Sequence, residues 1–517
     1  MSSGYKLFLL SLFPCCCIAQ ADAGWEGKAL YKDHLYVNRL LQDSHNPVSI
    51  SDAPEEVADF EVRYASEQGD YKPIDRGRHE TLWTGNIYGI RKIDRLSFEG
   101  GIEYANRMQA DKKWSNALFI AGGNPFFIAD SIAGDQGTEQ FTLSGGLSYV
   151  VTSRWRAALR AVYLVGTLAD QTDPRPLTQG MRFYLNPGLD YRFSPSFTLG
   201  ISAGTARLSE STTYTVVNSI EPKVGTIFLF KGLGSPETKS AIGYKRRYEG
   251  NQYMGHIQLV WNASHTLSNL AELGFFTASE DAKDGDTGFD FKGGDYRTTT
   301  YMLTDRFQLK TLAFIHNLTL RAEHLQSNGI WYLQTQSTDT DGNTLWTIRD
   351  KSVTHRETAL KASLHYRIDH LKGAYPRLTS SVRVAFTHSG IRQYPDLYSR
   401  KYSLLTFDGD ITRRLHVGKG LLTLSLRATY AVSPLQSLVA EGSKLYASYL
   451  EPAFQATGSS HYACGADVVW QTPLSLVSYP FLLSLHAGAA VRSYNDQATL
   501  YSGARRQSFN TGLSLIF

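Results

Sequence analysis

The sequence predicts an all-β chain, a single transmembrane antiparallel up-and-down β-barrel with a best tally of 18 strands (range 14–18). Three observations predict it. Apolar and polar residues alternate along many segments, short turns alternate with long polar loops, and a leader-like start is followed by no apolar run of helical length.

The bulk numbers agree with that class. In 517 residues, charged residues are 19% and aromatics 12%, with 30 Tyr, 25 Phe and 44 Gly, a profile suited to many turns and an aromatic-rich sheet. A mean hydropathy of −0.26 excludes a helical membrane bundle, but barrels escape that measure because only alternate residues face lipid. The net charge of +4 is small and unclustered, which gives no warrant for a nucleic-acid partner.

Residues 1–21 read as a secretory signal peptide. Lys6 supplies the positive start, Leu7 to Phe13 the apolar stretch, and Ala19-Gln20-Ala21 or Ala21-Asp22-Ala23 the small-residue cleavage site. Cys15, Cys16 and Cys17 suggest a lipidated alternative, but Pro14 and the cysteines crowd out the small residues that would precede a lipidated Cys. Cleavage leaves Cys464 as the single cysteine, so no internal disulfide is expected. Residues 22–56 are not strand-like. Leu30, His34, Val37 and Leu41 fall at helical spacing before Asn46-Pro47 interrupts it, which reads as a periplasmic segment, a small plug helix or a loose extension.

The barrel is expected over 57–517, with its first strand at 57–66. Trp155, Ala157, Leu159, Ala161 and Tyr163 alternate with Arg156, Ala158 and Arg160; Leu422, Leu424, Leu426 and Tyr430 alternate with Thr423, Ser425, Arg427 and Thr429. Such stretches run to about ten residues, the length a tilted strand needs to cross a bilayer. Short turns such as 152–154, 194–196 and 417–420 alternate with long loops, expected at 107–138, 168–180, 214–251, 281–294, 329–351 and 434–462.

If the apolar parity faces lipid, the other parity lines the barrel. Candidate lumen residues are Arg156, Arg160, Arg182, Arg192, Arg321, Lys361, Arg367, Arg383, Arg427 and Arg492, with Glu99, Glu103, Asp190, Glu323 and Asp369 as the fewer acids. A charge on the lipid face costs about 2–4 kcal/mol at the midplane, which favours the inward assignment. Two readings stand: a basic-leaning lumen that attracts anionic or polar solutes, or charges that pair across strands and fill the inside. Tyr104, Trp155, Tyr191, Trp261, Tyr430 and Phe517 near strand ends suit the aromatic girdles.

No catalytic or metal motif emerges, and no cofactor is expected. H-E-x-x-H, G-x-S-x-G and a Walker loop are absent, and His316, His370 and His388 sit on the apolar parity, better suited to the interface than to ligation. Three loop motifs stand out as candidate pore-mouth or partner segments: Asn124-Pro125-Phe126-Phe127 leading to Asp130, Asp173-Pro174-Arg175-Pro176, and Gly243 to Asn251 with Lys245, Arg246 and Arg247. Ordinary loop packing is the alternative for each.

Those three stretches, between a leader and a terminal strand ending in Phe517, resemble an uncharacterised outer-membrane β-barrel family of the Bacteroidota. The final alternating strand and its terminal aromatic also resemble a barrel-assembly signal. The resemblance implies a single barrel over 60–517, an outer-membrane address and insertion by the barrel-assembly machinery, and it carries no catalytic residue. A fainter similarity to fatty-acid-channel-type barrels rests on Asn46-Pro47, although Val48 and Ser49 replace the usual Ala-Gly. The expected role is a non-enzymatic channel or transport-associated component for polar or anionic small solutes, alone or beside a separate TonB-dependent transporter or surface lipoprotein. A closed-lumen surface-interaction or scaffold barrel is the second hypothesis and a rim-located hydrolase the third.

Overall fold

The computed structural model describes residues 44–53, 56–217, 225–285, 291–342, 344–373, 375–395, 397–476, 479–495 and 500–517. The expectations for the leader and for residues 22–43 lie outside the described residues.

The first strands are β1 (Val57–Gly69), β2 (His79–Ile93), β3 (Leu96–Lys112), β4 (Ile128–Ala129), β5 (Gly134–Val150), β6 (Trp155–Asp170) and β7 (Arg175–Ser194). Then come β8 (Phe197–Thr215), β9 (Thr226–Leu229), β10 (Glu237–Ser240), β11 (Lys245–Asn262), β12 (Leu267–Asp284), β13 (Phe291–Lys310) and β14 (Phe314–Thr338). The last are β15 (Thr344–Lys372), β16 (Tyr375–Gln393), β17 (Ser399–Val417), β18 (Gly420–Val439), β19 (His461–Leu476), β20 (Tyr479–Tyr494) and β21 (Arg505–Ile516). Among the described residues, eighteen of these form one sheet, while β4, β9 and β10 form a separate small one. The tally of 18 therefore holds.

Each barrel strand pairs antiparallel with the next, and β1 closes the ring by pairing with β21, Val62 opposite Leu513. Closure continues past the ladder: the Phe517 N–H donates to the Ala58 carbonyl at 2.8 Å. A closed ring leaves no strand edge with unpaired backbone groups, the condition for a sheet to sit in hydrocarbon.

Burial is inverted relative to a water-soluble protein. Leu426, Tyr253, Ile257, Leu273, Tyr301 and Ile411 are exposed on the outside, whereas Asp190, Gln258, Glu272 and Ser148 are buried inside. Trp155, Trp261, Tyr104 and Tyr430 are among the exposed aromatics on the outward parity. An apolar belt around a whole barrel far exceeds the few hundred Å² that a soluble monomer leaves uncovered.

Two loop expectations are corrected. Residues 168–180 are mostly strand, with only 171–174 between β6 and β7, and 329–351 is a hairpin of β14 and β15 with Thr335 opposite Thr347. Strands reach into the remaining four: β3 ends at Lys112 and β5 begins at Gly134, β8 ends at Thr215 and β11 begins at Lys245, β12 ends at Asp284 and β13 begins at Phe291, and β18 ends at Val439 and β19 begins at His461. The physical reason is common to all. Beyond the bilayer a strand keeps its hydrogen-bond ladder but loses the lipid on one face, so the alternation that reveals it disappears.

Candidate functional site: a lumen filled from both ends

At the short-turn end, residues 44–53 enter the barrel. Asn46 caps a 3₁₀ turn, Pro47–Asp52, by accepting the Val48 N–H at 3.1 Å. Its amide donates to the wall at the Leu189 carbonyl, 3.1 Å, and the Ile201 carbonyl, 3.2 Å. Ser44 Oγ and the His45 N–H donate to Glu272 on β12 at 3.0 and 3.1 Å, and the His45 ring stacks on His256 at 4.4 Å. Asp52 pairs with Arg156 at 2.6 Å, and the same guanidinium holds Asp190. Gly188 makes the close approach possible: a Cβ there would lie 2.2 Å from Asn46 Oδ1. The described part, 44–53, thus sits as a plug against β3, β5 to β8, β11 and β12.

At the other end, loop 113–133 folds down into the barrel. Glu210 on β8 accepts the N–H groups of Leu118, Phe119 and Ile120 at 3.1, 2.6 and 3.1 Å. Glu280 on β12 accepts the Ala121 N–H at 3.0 Å and the Asn124 side-chain amide at 2.8 Å. Phe126 is fully buried with Tyr248, Ala282 and Tyr296, and Arg246 donates to its carbonyl at 3.3 Å while holding Asp284 at 2.6 Å. Arg182 donates to the Phe119 carbonyl. A buried carboxylate is tolerated only with such donors, and charge-assisted bonds of this kind are the strong ones.

Above this strap an aromatic seal crosses the mouth. Trp114, Ala129, Phe230 and Leu445 form a buried cluster, joined by Ile74, Phe127, Phe228 and Tyr449. The rings of Phe127 and Phe230 stack at 4.2 Å, and those of Trp114 and Tyr449 stand 5.4 Å apart. Segments 70–78, 113–133, 225–244 and 440–460 thereby meet over one opening. Asp130 braces it: it accepts from Asn116 at 3.2 Å and the Ile132 N–H at 3.0 Å, and burial pushes its carboxyl up to about 6 against those bonds.

The candidate lumen residues divide between covered and uncovered wall. On the covered side, Arg156 is tied up as above, Arg160 pairs with Glu99 at 2.5 Å, and Arg182 serves the strap. Arg192 is exposed near the short-turn rim and Glu103 is exposed on β3. On the uncovered side, Lys361 faces Glu323 at 3.6 Å, Arg367 holds Asp369 at 2.7 Å, Arg383 holds Asp408 at 2.7 Å and Arg427 holds Asp467. Arg321 on β14 and Arg492 on β20 are exposed on that same inward parity. The side chains of Lys361, Arg383 and Arg427 are 57%, 52% and 58% exposed, against 4% for Glu272 under the plug. The exposed inward charges of this side run from β14 to β20.

The loop motifs separate. The Asn124-Pro125-Phe126 stretch and Arg246 come together inside the barrel, whereas Lys245 and Arg247 take the opposite face of β11. Asp173 and Arg175 flank Pro174 and pair locally at 2.8 Å, with Asp173 also accepting the Val217 N–H at 3.2 Å. His316 bonds Tyr366 at 2.8 Å and His388 bonds Ser403 at 2.9 Å, both on the outward face. No group of three or more metal-ligating side chains occurs among the described residues. Sequence reading missed Glu210, Glu280 and Glu272. A signal for them exists in the glycines at inward positions, such as Gly180, where a Cβ would stand 2.8 Å from the Phe119 ring.

A closed antiparallel barrel with an apolar belt and a polar, filled lumen is an outer-membrane β-barrel protein, and its place is the bacterial outer membrane. The chain belongs to a family of unknown function, DUF6850, whose model matches residues 47–517. No curated protein matches it. Among solved structures it is similar to the ferric yersiniabactin uptake receptor FyuA from Yersinia pestis, at 10% identity over 90% of this chain and 80% of that chain, TM-score 0.43. It is also similar to the ferric-catecholate import receptor Fiu from E. coli K12, at 10% identity over 90% and 82%, TM-score 0.40. The RagAB peptide transporter is a third, at 7% identity over 89% and 86%, TM-score 0.41. None of these three is a fatty-acid channel, so the likeness expected from Asn46-Pro47 finds no counterpart among them.

Proposed function

We propose that this barrel is a non-enzymatic, transport-associated component that passes small polar or anionic solutes, and that the strapped and plugged form is its shut state. One observation carries the reading. Apart from Arg192 near the rim and Glu103, the exposed candidate charges Arg321, Lys361, Arg383, Arg427 and Arg492 lie from β14 to β20, clear of the plug and on the short-turn side of the strap's contact with Gly329 on β14. A barrel filled for stability alone has no reason to keep one wall charged and wet while burying the other.

The second reading, a surface scaffold with a permanently closed lumen, is favoured by the aromatic seal across four loops. Conductance in planar bilayers separates them. Anion-biased current that grows when the strap is released supports transport; silence from folded protein with the strap released supports the scaffold. The leader at 1–21, insertion by the barrel-assembly machinery, and a Bacteroidota origin belong to the same proposal and rest on the sequence motifs. A TonB-dependent transporter or surface lipoprotein as partner is consistent with the long β14–β15 hairpin, which extends well past the length a bilayer needs.

A further inference from the structure

A recess of about 380 Å³ opens in the lumen wall across β13 to β17. That is within the range of small-ligand sites. Arg306, Arg321, Arg367 and Arg383 line it with Asp408 and Asp410, so guanidinium groups outnumber carboxylates. It lies in the half of the barrel nearer the short turns, beside the plug. Glu272 on β12 holds Ser44 and His45, and Leu270, two residues away, pairs with Arg306 on the next strand.

Two of its arginines are oriented by the wall. Arg367 forks onto Asp369, which also accepts from Thr379 at 2.7 Å. Arg383 Nε donates to Asp408 at 2.8 Å, and Asp408 accepts from Thr429 at 2.7 Å. These pairs neutralise each other but leave fixed N–H groups at the recess. Arg321 differs: it lines the recess, is exposed to the lumen, and among the described residues has no carboxylate within ion-pair distance. An unneutralised guanidinium beside two pre-oriented ones is a fork for a planar or tetrahedral oxyanion.

We propose that this recess binds a small solute through a carboxylate or phosphate group, seated on Arg321 and flanked by Arg367 and Arg383. The inference rests on the transport reading and names the solute class of the same lumen. The test is calorimetric titration of the full chain, folded in detergent, with succinate and separately with inorganic phosphate. Saturable binding of one of them, weakened about tenfold or more in Arg321→Gln and partly restored in Arg321→Lys, is the expected result, and the probe that binds distinguishes carboxylate from phosphate. Arg192→Gln, at the rim, should bind like the wild type. Heat-dependent gel mobility establishes that each variant is a folded barrel. No saturable binding of either probe to folded wild type, or equal binding by Arg321→Gln, overturns the proposal. Binding that persists in a protein that conducts nothing with its strap released overturns the transport reading and leaves this site standing.

Discussion

Glu210 accepts the backbone N–H of Phe119 at 2.6 Å, a bond between strand β8 and a loop 91 residues earlier in the chain. Together with Glu280 it takes five donors from loop 113–133, so two wall carboxylates hold the strap that fills the outer half of the lumen.

Replacing both with alanine leaves those amides without partners inside the barrel. Bonds to a charged group contribute about 1.5–3 kcal/mol each before relaxation, so Glu210→Ala with Glu280→Ala should weaken docking by about 3 kcal/mol or more. Trypsin cleavage after Lys113 in proteoliposomes should accelerate about 100-fold. Unchanged cleavage would mean that the strap is held by something else.

The strap's apolar anchor should behave separately. Phe126 is fully buried, and its truncation to alanine should cost about 3–5 kcal/mol in docking. Gly329→Val should expel the same ring, because even a Cβ at 329 would stand 3.1 Å from it. Both variants should keep the heat-modifiable gel mobility of the barrel while exposing the loop. Loss of the folded band would place Phe126 in the barrel's own stability instead.

Acid should tighten the cap. The Asp130 carboxyl is raised from 3.8 to about 6 by burial, so the docked loop binds a proton more readily than the free loop. The sign follows. Docking is strongest below about pH 4 and weakens as pH rises to about 6, by up to about 3 kcal/mol. Hydrogen exchange of loop 113–133, compared between wild type and Asp130→Asn at pH 4 and 7, checks it. An identical pH response in the variant would assign the effect elsewhere.

Neighbouring positions on β18 give a test of sidedness. Leu426 is 64% exposed on the outward face, whereas Ser425 faces inward. Leu426→Arg should destabilise the barrel in lipid by about 2–4 kcal/mol, and Ser425→Arg by much less. Urea titration in bilayers reads the difference, and equal costs would contradict the orientation of every strand.

The strands were legible because two solvents act on one ribbon. Trp155 and Leu159 face lipid while Arg156 and Arg160 face the lumen, and period-two alternation records that difference locally. Where only water surrounds the sheet, as along Leu333 to Thr338, the ladder left no such trace and read as loop. Parity also placed the inward arginines. Parity puts Arg367 and Asp369 on one face of one strand, where they pair, but nothing local joins Arg156 to Asp52 of the plug.

From the residues alone one obtains a single barrel, a best tally of its strands and the outward and inward faces of those that alternate cleanly, since each depends on neighbours a few positions away or on the next hairpin. What occupies the ring was decided only by the folded chain. Glu210 looks like any polar inward residue until closure carries Phe119 to it, and Gly188 like any small one until Asn46 arrives. Such contacts join segments about 90 to 140 residues apart, and no local preference for helix or strand encodes which loop will find which wall.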